Sequence, residues 1–218
     1  TITTGMASAP PLPGEQSLPA MPSYRLSPPL TPLLGREHDE AGIVHMLAQE
    51  RVRLLTLTGP AGVGKTRLAL QAAATLRDQH GFELALVDLV AIPAADSVPQ
   101  AIAQALGVRQ TGDLSLLDAI TAAVSGRRLL LVLDNFEHVL AAAPFCAALL
   151  GVCLHAKALV TSRAALNIRG EHEFAVSPLG VPDLYRLPPI SDLEQFGAVA
   201  LFAERARAAR PDFALSTP

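Results

Sequence analysis

Eight consecutive residues, Gly59 to Thr66, match the pattern Gly-x-x-x-x-Gly-Lys-Thr and constrain the fold more than any other feature of the sequence. The residues before them, 52–58, form a short run rich in leucine and β-branched side chains, and residues 67–79 repeat apolar side chains at helical spacing. A glycine loop between a strand and a helix turns its backbone N–H groups toward a phosphate, and the helix N-terminus adds positive field. The motif therefore predicts an α/β fold in which strand, loop and helix follow one another.

The polar residues of this loop have predicted roles. Lys65 reaches the β- and γ-phosphates of a nucleotide, and the Thr66 hydroxyl holds Mg²⁺. Only two lysines occur in the chain, so a chance lysine at this position is disfavoured. The residues predicted to bind the phosphates are Gly59, Pro60, Ala61, Gly62, Val63, Gly64, Lys65, Thr66 and Arg67.

Two further strands are predicted to bring polar side chains to the same edge of a sheet. The apolar run Leu129–Leu133 has the pattern of a central parallel strand and ends in Asp134, about 70 residues after the loop. Ligands collect at the carboxyl ends of parallel strands, so Asp134 is predicted to join Thr66 in the Mg²⁺ shell. Arg163 follows the next strand, and its charge suits the γ-phosphate.

The chain divides into three predicted parts. Residues 1–32 hold eight prolines and little apolar periodicity, which is typical of a flexible tail or linker. Residues 33–180 alternate strands and helices, including a strand over 82–92 and a helix over 139–154, which is the pattern of a doubly wound parallel sheet. Residues 181–218 are predicted to be a linker and the first helix of an incomplete helical domain, because an apolar stripe recurs over 193–210. Neither chain end has the features of a complete protein, so we expect a longer polypeptide.

Composition and charge exclude several classes. Half of the residues are hydrophobic, which excludes a disordered chain, and a net charge of −3 with scattered arginines gives no field for nucleic acid. Cys146 and Cys153 fit neither a disulfide framework nor a zinc motif and are predicted to be free and buried. The longest apolar run, 139–154, contains Pro144 and is too short to span a membrane, so a cytoplasmic location without membrane contact is expected.

These motifs together resemble the STAND class of P-loop ATPases, close to the NB-ARC domains and to bacterial transcriptional regulators that carry such an ATPase. The residues that carry the resemblance are Leu34-Gly-Arg-Glu37, the glycine loop, Asp134-Asn-Phe-Glu-His138, Thr161-Ser-Arg163 and residues 198–211. The resemblance implies a three-layer α/β/α P-loop NTPase fold with a five-stranded parallel sheet in the order 5-1-4-3-2. It also implies that Leu34, Gly35 and Arg36 lie beside the adenine, that Asp134 binds Mg²⁺ and that Arg163 senses the γ-phosphate.

The expected function is an ATP/ADP-binding regulatory switch with slow, Mg²⁺-dependent ATP hydrolysis, acting on signalling or transcriptional domains of the same longer chain. ATP-dependent self-association is a further possibility that the resemblance leaves open. Many relatives have a second acidic residue after the strand aspartate, but Asn135 is an amide and cannot take a proton. Glu137 is the alternative group for polarising water, and the sequence does not decide between slow hydrolysis and this substitute.

Two other functions stay open at this point. A small-molecule kinase uses the same loop, although no arginine-rich lid segment is apparent in the sequence. A protein-interaction module that depends on nucleotide without hydrolysing it, or that has lost the nucleotide, is the second; the intact Gly-Lys-Thr argues against the loss. The fate of the phosphate distinguishes the three functions. An ATPase switch releases it to water, a kinase passes it to an acceptor, and a non-hydrolysing interaction module does not release it.

Overall fold

Five parallel strands form the centre of the protein. The computed structural model describes residues 33–109 and 114–215, so the predicted tail over 1–32 lies outside the described residues. The strands are β1 (Leu54–Thr58), β2 (Glu83–Asp88), β3 (Leu129–Asp134), β4 (Lys157–Thr161) and β5 (Glu171–Ala175). They lie in the order β2-β3-β4-β1-β5, and every neighbouring pair is parallel. This confirms the predicted order, 5-1-4-3-2 when counted from the other edge.

Among the described residues, seven helices precede, connect or follow the strands. They are α1 (Glu37–Ala48), α2 (Lys65–His80), α3 (Val98–Ala105), α4 (Leu116–Val124), α5 (Ala143–Val152), α6 (Ile190–Leu193) and α7 (Gly197–Ala209). Short 3₁₀ turns occur at Ala95–Ser97, Phe136–His138 and Leu140–Ala142. Within the two described ranges, no helix is long and apolar enough to cross a membrane.

The central strand β3 explains why helices cover both faces of the sheet. Leu129, Leu131 and Leu133 belong to one buried cluster, with side chains from α3, α4 and α5. Leu130 and Val132 point the other way and pack with side chains from α1 and α2. Because side chains alternate along a strand, an unbroken apolar run requires an apolar layer on each side. The result is the three-layer α/β/α arrangement that the sequence predicts.

Three element boundaries differ from the sequence prediction. The strand expected over 82–92 ends at Asp88, whose carboxylate Oδ1 accepts from the Val90 N–H at 3.0 Å and turns the chain. The helix expected over 139–154 begins only at Ala143, with Pro144 in its first turn, where a missing N–H costs nothing. The helix expected from Leu193 begins at Gly197, because Phe196 is extended and separates it from α6.

Both cysteines are free and buried, as predicted. Cys146 lies on the inner face of α5, 1% exposed, and burial raises the pKa of its thiol to about 12. Burial of the thiols among apolar side chains accounts for their presence without a disulfide or metal role.

Candidate functional site

The glycine loop joins β1 to α2 and has the backbone conformation that only glycine tolerates well. Gly59, Gly62 and Gly64 have φ of +148°, +78° and +98°. A Cβ at Gly59 would stand 2.6 Å from the Val176 carbonyl oxygen, whereas one at Gly62 or Gly64 would meet nothing within 4 Å. The first glycine is therefore required by packing as well as by φ, and the other two leave an open cradle at the start of α2.

Lys65 is the first residue of α2 and lies over this loop. Its side chain is largely buried, and Nζ donates to the carbonyl oxygens of Gly59 at 2.9 Å and Pro60 at 3.0 Å. The ammonium group is thus held by the loop that would surround a phosphate. Phosphate oxygens carry negative charge and would attract the ammonium group more strongly than these two neutral carbonyl oxygens do.

Asp134 ends β3 and receives three side-chain hydrogen bonds. The Thr66 hydroxyl donates to Oδ1 at 2.8 Å, and the Thr161 hydroxyl donates to the same oxygen at 2.5 Å. The Asn135 amide Nδ2 donates to Oδ2 at 2.9 Å. The carboxylate is only 6% exposed, so these bonds fix its orientation in a site largely closed to water. Thr66 and Asp134 are therefore adjacent, as the sequence predicts for a shared cation.

Asn135 bends the chain sharply after β3. Its φ is +62°, in the left-handed region that asparagine tolerates better than most residues, and its backbone N–H donates to Thr161 Oγ1 at 3.0 Å. The Phe136–His138 turn follows directly and carries Glu137 toward the loop. The side chain of Asn135 is thus engaged with Asp134, and the next polar group along the chain faces the open site.

Glu137 and Arg163 form an ion pair at the edge of this site. Arg163 Nε donates to Glu137 Oε1 at 3.0 Å, while the arginine side chain is 64% exposed. The second carboxylate oxygen, Oε2, is buried and has no hydrogen-bond partner in the structure. A buried acceptor without a donor costs free energy and is ready to accept a hydrogen bond from water or a ligand.

Two clefts lie on either side of the glycine loop. The polar one has a volume of about 480 Å³ and contains Lys65, Thr66, Asn135, Glu137 and Arg163. The other has a volume of about 540 Å³ and is mostly apolar. Its walls come from the segment before α1, the loop, the chain after β5, and α7. The residues are Leu33, Leu34, Arg36, Pro60, Ala61, Gly62, Val63, Gly64, Arg67, Pro178, Leu179, Ala198, Leu201 and Arg205.

The structure brings together nearly all residues that the sequence singled out. Leu34 and Arg36 line the apolar cleft, and Gly35 lies beside it, where a Cβ would stand 2.7 Å from the Gly197 Cα. Sequence reasoning missed the contribution of Pro178 and Leu179, and it did not place α7 against the loop. These residues follow β5 at no recognisable spacing from the glycine loop, so no pattern in the sequence links them to it.

The side chains present fit a divalent cation bound with phosphate. Thr66 and Asp134 supply a hydroxyl and a carboxylate, the oxygen ligands that Mg²⁺ prefers, and Mg²⁺ sites commonly complete the shell with water and phosphate oxygens.

Comparison with known proteins identifies the fold family. Residues 48–187 match the family described as "AAA domain". The chain belongs to this family. AAA domains of this kind are P-loop ATPase domains that bind nucleotide, typically with Mg²⁺.

Two curated relatives of this AAA domain come from Mycobacterium tuberculosis. "Uncharacterized protein Rv0894" is 34% identical over 86% of the chain and 44% of its own length. "Putative HTH-type transcriptional regulator Rv0890c" is 37% identical over 78% of the chain and 18% of its own length. The chain therefore spans less than half the length of these curated relatives.

Among solved structures, Cdc6p from Pyrobaculum aerophilum resembles the AAA domain with a TM-score of 0.53 and 18% sequence identity. The match covers 71% of this chain and 48% of Cdc6p. At this identity the likeness concerns the fold, and it agrees with the sheet order and layers described above.

Proposed function

We propose that this AAA domain is the ATP/ADP-binding switch of a STAND-type regulator that hydrolyses ATP slowly with Mg²⁺. The observation that carries the proposal is the contact between Thr66 and Asp134 at 2.8 Å, beside a complete phosphate-binding loop. If the loop no longer bound a ligand, we would not expect a buried carboxylate beside the Thr66 hydroxyl, because burying a charge costs free energy.

The nucleotide would lie across the glycine loop and occupy both clefts. Its phosphates would bind the loop N–H groups and Lys65 in the polar cleft, and its base would enter the apolar cleft between Leu34 and Leu179. Both clefts share Ala61, Gly62, Gly64 and Arg67, so one extended ligand could reach both. Mg²⁺ bound at Thr66 and Asp134 would neutralise part of the phosphate charge.

Glu137 is the residue that we propose to polarise the attacking water. Its Oε2 is buried without a partner, and the residue lines the same cleft as Lys65 and Thr66. In the proposed step a water oxygen bonds to the γ-phosphorus, the bond from that phosphorus to the β–γ bridging oxygen breaks, and Glu137 accepts the proton. Arg163 would then exchange its contact with Glu137 for a γ-phosphate oxygen.

The position of α7 supports a switch, because a ligand in the apolar cleft would contact it directly. Ala198, Leu201 and Arg205 of α7 form one wall of that cleft. The backbones of Gly35 and Gly197 approach so closely that neither position has room for a larger residue without movement. Nucleotide exchange would therefore change the docking of α7 and of any domain that follows it.

The output of the switch would be a signalling or transcriptional domain of the same longer chain, and ATP binding would promote self-association. This part of the proposal draws on the relative named as an HTH-type transcriptional regulator, of which the chain spans 18%. We propose a cytoplasmic protein in which this domain contacts nucleotide and neighbouring domains, and neither nucleic acid nor membrane.

Thermal unfolding with and without nucleotide tests the proposal. A ligand that binds only the folded state adds about 2.7 kcal/mol at a hundredfold excess over its Kd, so Mg²⁺ and ADP are expected to raise the melting temperature by several degrees. Lys65→Ala is expected to lose most of this shift, because it removes the ammonium group that faces the phosphates.

Chemical labelling of the lysines is a second test of nucleotide binding, and it contains an internal control. Lys65 and Lys157 are the only lysines, and Lys157 lies at the opposite edge of the sheet. Amine-reactive labelling followed by mass spectrometry is expected to show protection of Lys65 by ADP and unchanged labelling of Lys157. No thermal shift and no selective protection would contradict nucleotide binding. Transfer of phosphate to an added small acceptor instead of water would favour a kinase.

A further inference from the structure

Arg36 is a buried arginine that lies outside the glycine loop and holds it. The residue immediately precedes α1 and is 6% exposed. Its Nη2 donates to the carbonyl oxygen of Val63 at 3.0 Å, and its Nη1 donates to Asp39 Oδ2 at 2.8 Å. Two of the guanidinium nitrogens are thus already bonded to the protein, one to the loop and one to the first turn of α1.

The carbonyl that Arg36 holds belongs to a peptide group whose orientation decides phosphate binding. Val63 C=O and Gly64 N–H are the two ends of one peptide unit, which is trans like all those described. In a trans peptide the C=O and N–H point in opposite directions. A bond that fixes the Val63 oxygen toward Arg36 therefore turns the Gly64 N–H away from Arg36, toward the open side of the loop.

The loop itself cannot fix this peptide. Gly62 and Gly64 flank Val63 with φ of +78° and +98°, and a Cβ at either would meet nothing within 4 Å. A flip of the Val63–Gly64 peptide rotates it about ψ of Val63 and φ of Gly64. Because glycine populates both signs of φ at little cost, Gly64 offers little resistance to this flip unless another group holds the peptide. A flipped peptide would present a carbonyl oxygen to the phosphates, which repels an anion instead of binding it.

We propose that Arg36 is a positioning residue for phosphate binding, which acts by fixing the Val63–Gly64 peptide with its N–H toward the phosphate. Asp39 holds the guanidinium in place through the charge-assisted bond to Nη1. The inference rests on the proposed nucleotide function and assigns Arg36 a role through the loop, in place of direct contact with the base. This role also explains why an arginine from outside the glycine loop is buried against that loop.

The test compares three ligands that separate phosphate from base: ADP, inorganic pyrophosphate and adenosine, each measured by calorimetry. Arg36→Met keeps the buried stem and removes every donor. Arg36→Lys keeps one charged donor and cannot bridge Val63 and Asp39. Arg51→Ala is the control, because Arg51 is an exposed arginine beyond the other end of α1, and within the described residues its side chain donates a hydrogen bond only to Gln49.

Arg36→Met is expected to weaken ADP and pyrophosphate by the same factor, about tenfold for a lost charged hydrogen bond, and to leave adenosine unchanged. Arg36→Lys is expected to fall between Arg36→Met and wild type, and Arg51→Ala to match wild type. A loss of adenosine and ADP affinity with pyrophosphate unchanged would overturn the proposal, because Arg36 would then contact the base. Unchanged affinity for all three ligands would overturn it as well.

An NMR measurement of the Gly64 N–H orientation without nucleotide keeps the inference separate from the proposed function. The residual dipolar coupling of this amide is expected to differ between Arg36→Met and wild type, because the peptide is held in one orientation only when Arg36 is present, and the couplings of β3 amides are expected to stay equal as the control for folding. If wild-type protein bound neither ADP nor pyrophosphate, the nucleotide proposal would fail, and this comparison would still decide whether Arg36 fixes the loop. Equal Gly64 couplings in both proteins would overturn the positioning role.

Discussion

Asp134 and Glu137 are two carboxylates three residues apart with different surroundings. Asp134 accepts from Thr66, Thr161 and Asn135, so both of its carboxylate oxygens have hydrogen-bond donors. Glu137 has one exposed arginine on Oε1 and a buried, unpartnered Oε2. The first arrangement suits a fixed metal ligand, and the second suits a group that must gain a water and a proton. Environment therefore separates the two roles more clearly than the residue types do.

Substitutions at Glu137 and Asn135 test this assignment. Glu137→Gln is expected to lower the single-turnover hydrolysis rate by about 100-fold or more, because the amide cannot accept the proton, while ADP affinity stays near wild type. Asn135→Asp, the matched change, is expected not to raise the rate, since it replaces a donor to Asp134 with a like charge at about the same distance. A faster Asn135→Asp enzyme with an active Glu137→Gln would contradict the assignment and make position 135 the water-polarising site.

At the scale of elements, the carboxyl and amino ends of the parallel strands have different roles. The carboxyl edge carries the glycine loop, Asn135 with its positive φ and the open clefts. At the other edge, basic side chains cap helix ends. Lys157 Nζ donates to the carbonyls of Leu47 at 2.7 Å and Gln49 at 2.5 Å after α1. Arg53 donates to carbonyls at the end of α5, including Cys153 O at 2.5 Å. These bonds satisfy terminal carbonyls that the helices leave unpaired.

Lys157 gives a pH prediction. Burial lowers the pKa of its ammonium group below 10.5, and the nearby Arg128 and Arg53 charges lower it further. The unfolded chain then binds more protons than the folded one in the range just below pH 10.5, so this group makes stability rise as pH increases there. The neutral amine still donates two N–H bonds. Urea unfolding is expected to show wild type gaining stability relative to Lys157→Met as the pH rises toward 10.5. A constant difference would contradict the lowered pKa.

The sequence predicted the elements and the site more fully than the ends of the elements. The sheet, the loop and the meeting of Thr66 with Asp134 followed from motifs whose geometry is local or set by parallel strands. The end of β2 depended on one side-chain bond from Asp88, and the late start of α5 on two short 3₁₀ turns. The apolar cleft needed Gly197, at the start of α7, to lie against Gly35, an approach that no periodicity encodes.

At the scale of the whole molecule, the nucleotide site and the apolar core are physically distinct but share one sheet. Cys146 and Cys153 lie in the apolar cluster between the sheet and α3, α4 and α5. The helix that follows the glycine loop, α2, packs on the other face of the sheet. Cys146 is only 1% exposed in the folded state, and its raised pKa makes the thiol unreactive as well. Exposure of Cys146 therefore reports the opening of the core and not local motion at the site.

This separation predicts that nucleotide protects a thiol that it does not touch. With Mg²⁺ and ADP present, labelling of Cys146 by a thiol reagent under native conditions is expected to slow by about 100-fold at a hundredfold excess over Kd, provided that closing is faster than labelling. Lys65→Ala, with the same ligand, is the control that should lose the protection. If ADP raises the melting temperature but leaves the labelling rate of Cys146 unchanged, the layer formed by α3, α4 and α5 opens separately from the rest of the domain. In that case the sheet would not transmit nucleotide binding to both of its faces, and the switch would act only through α1, α2 and α7.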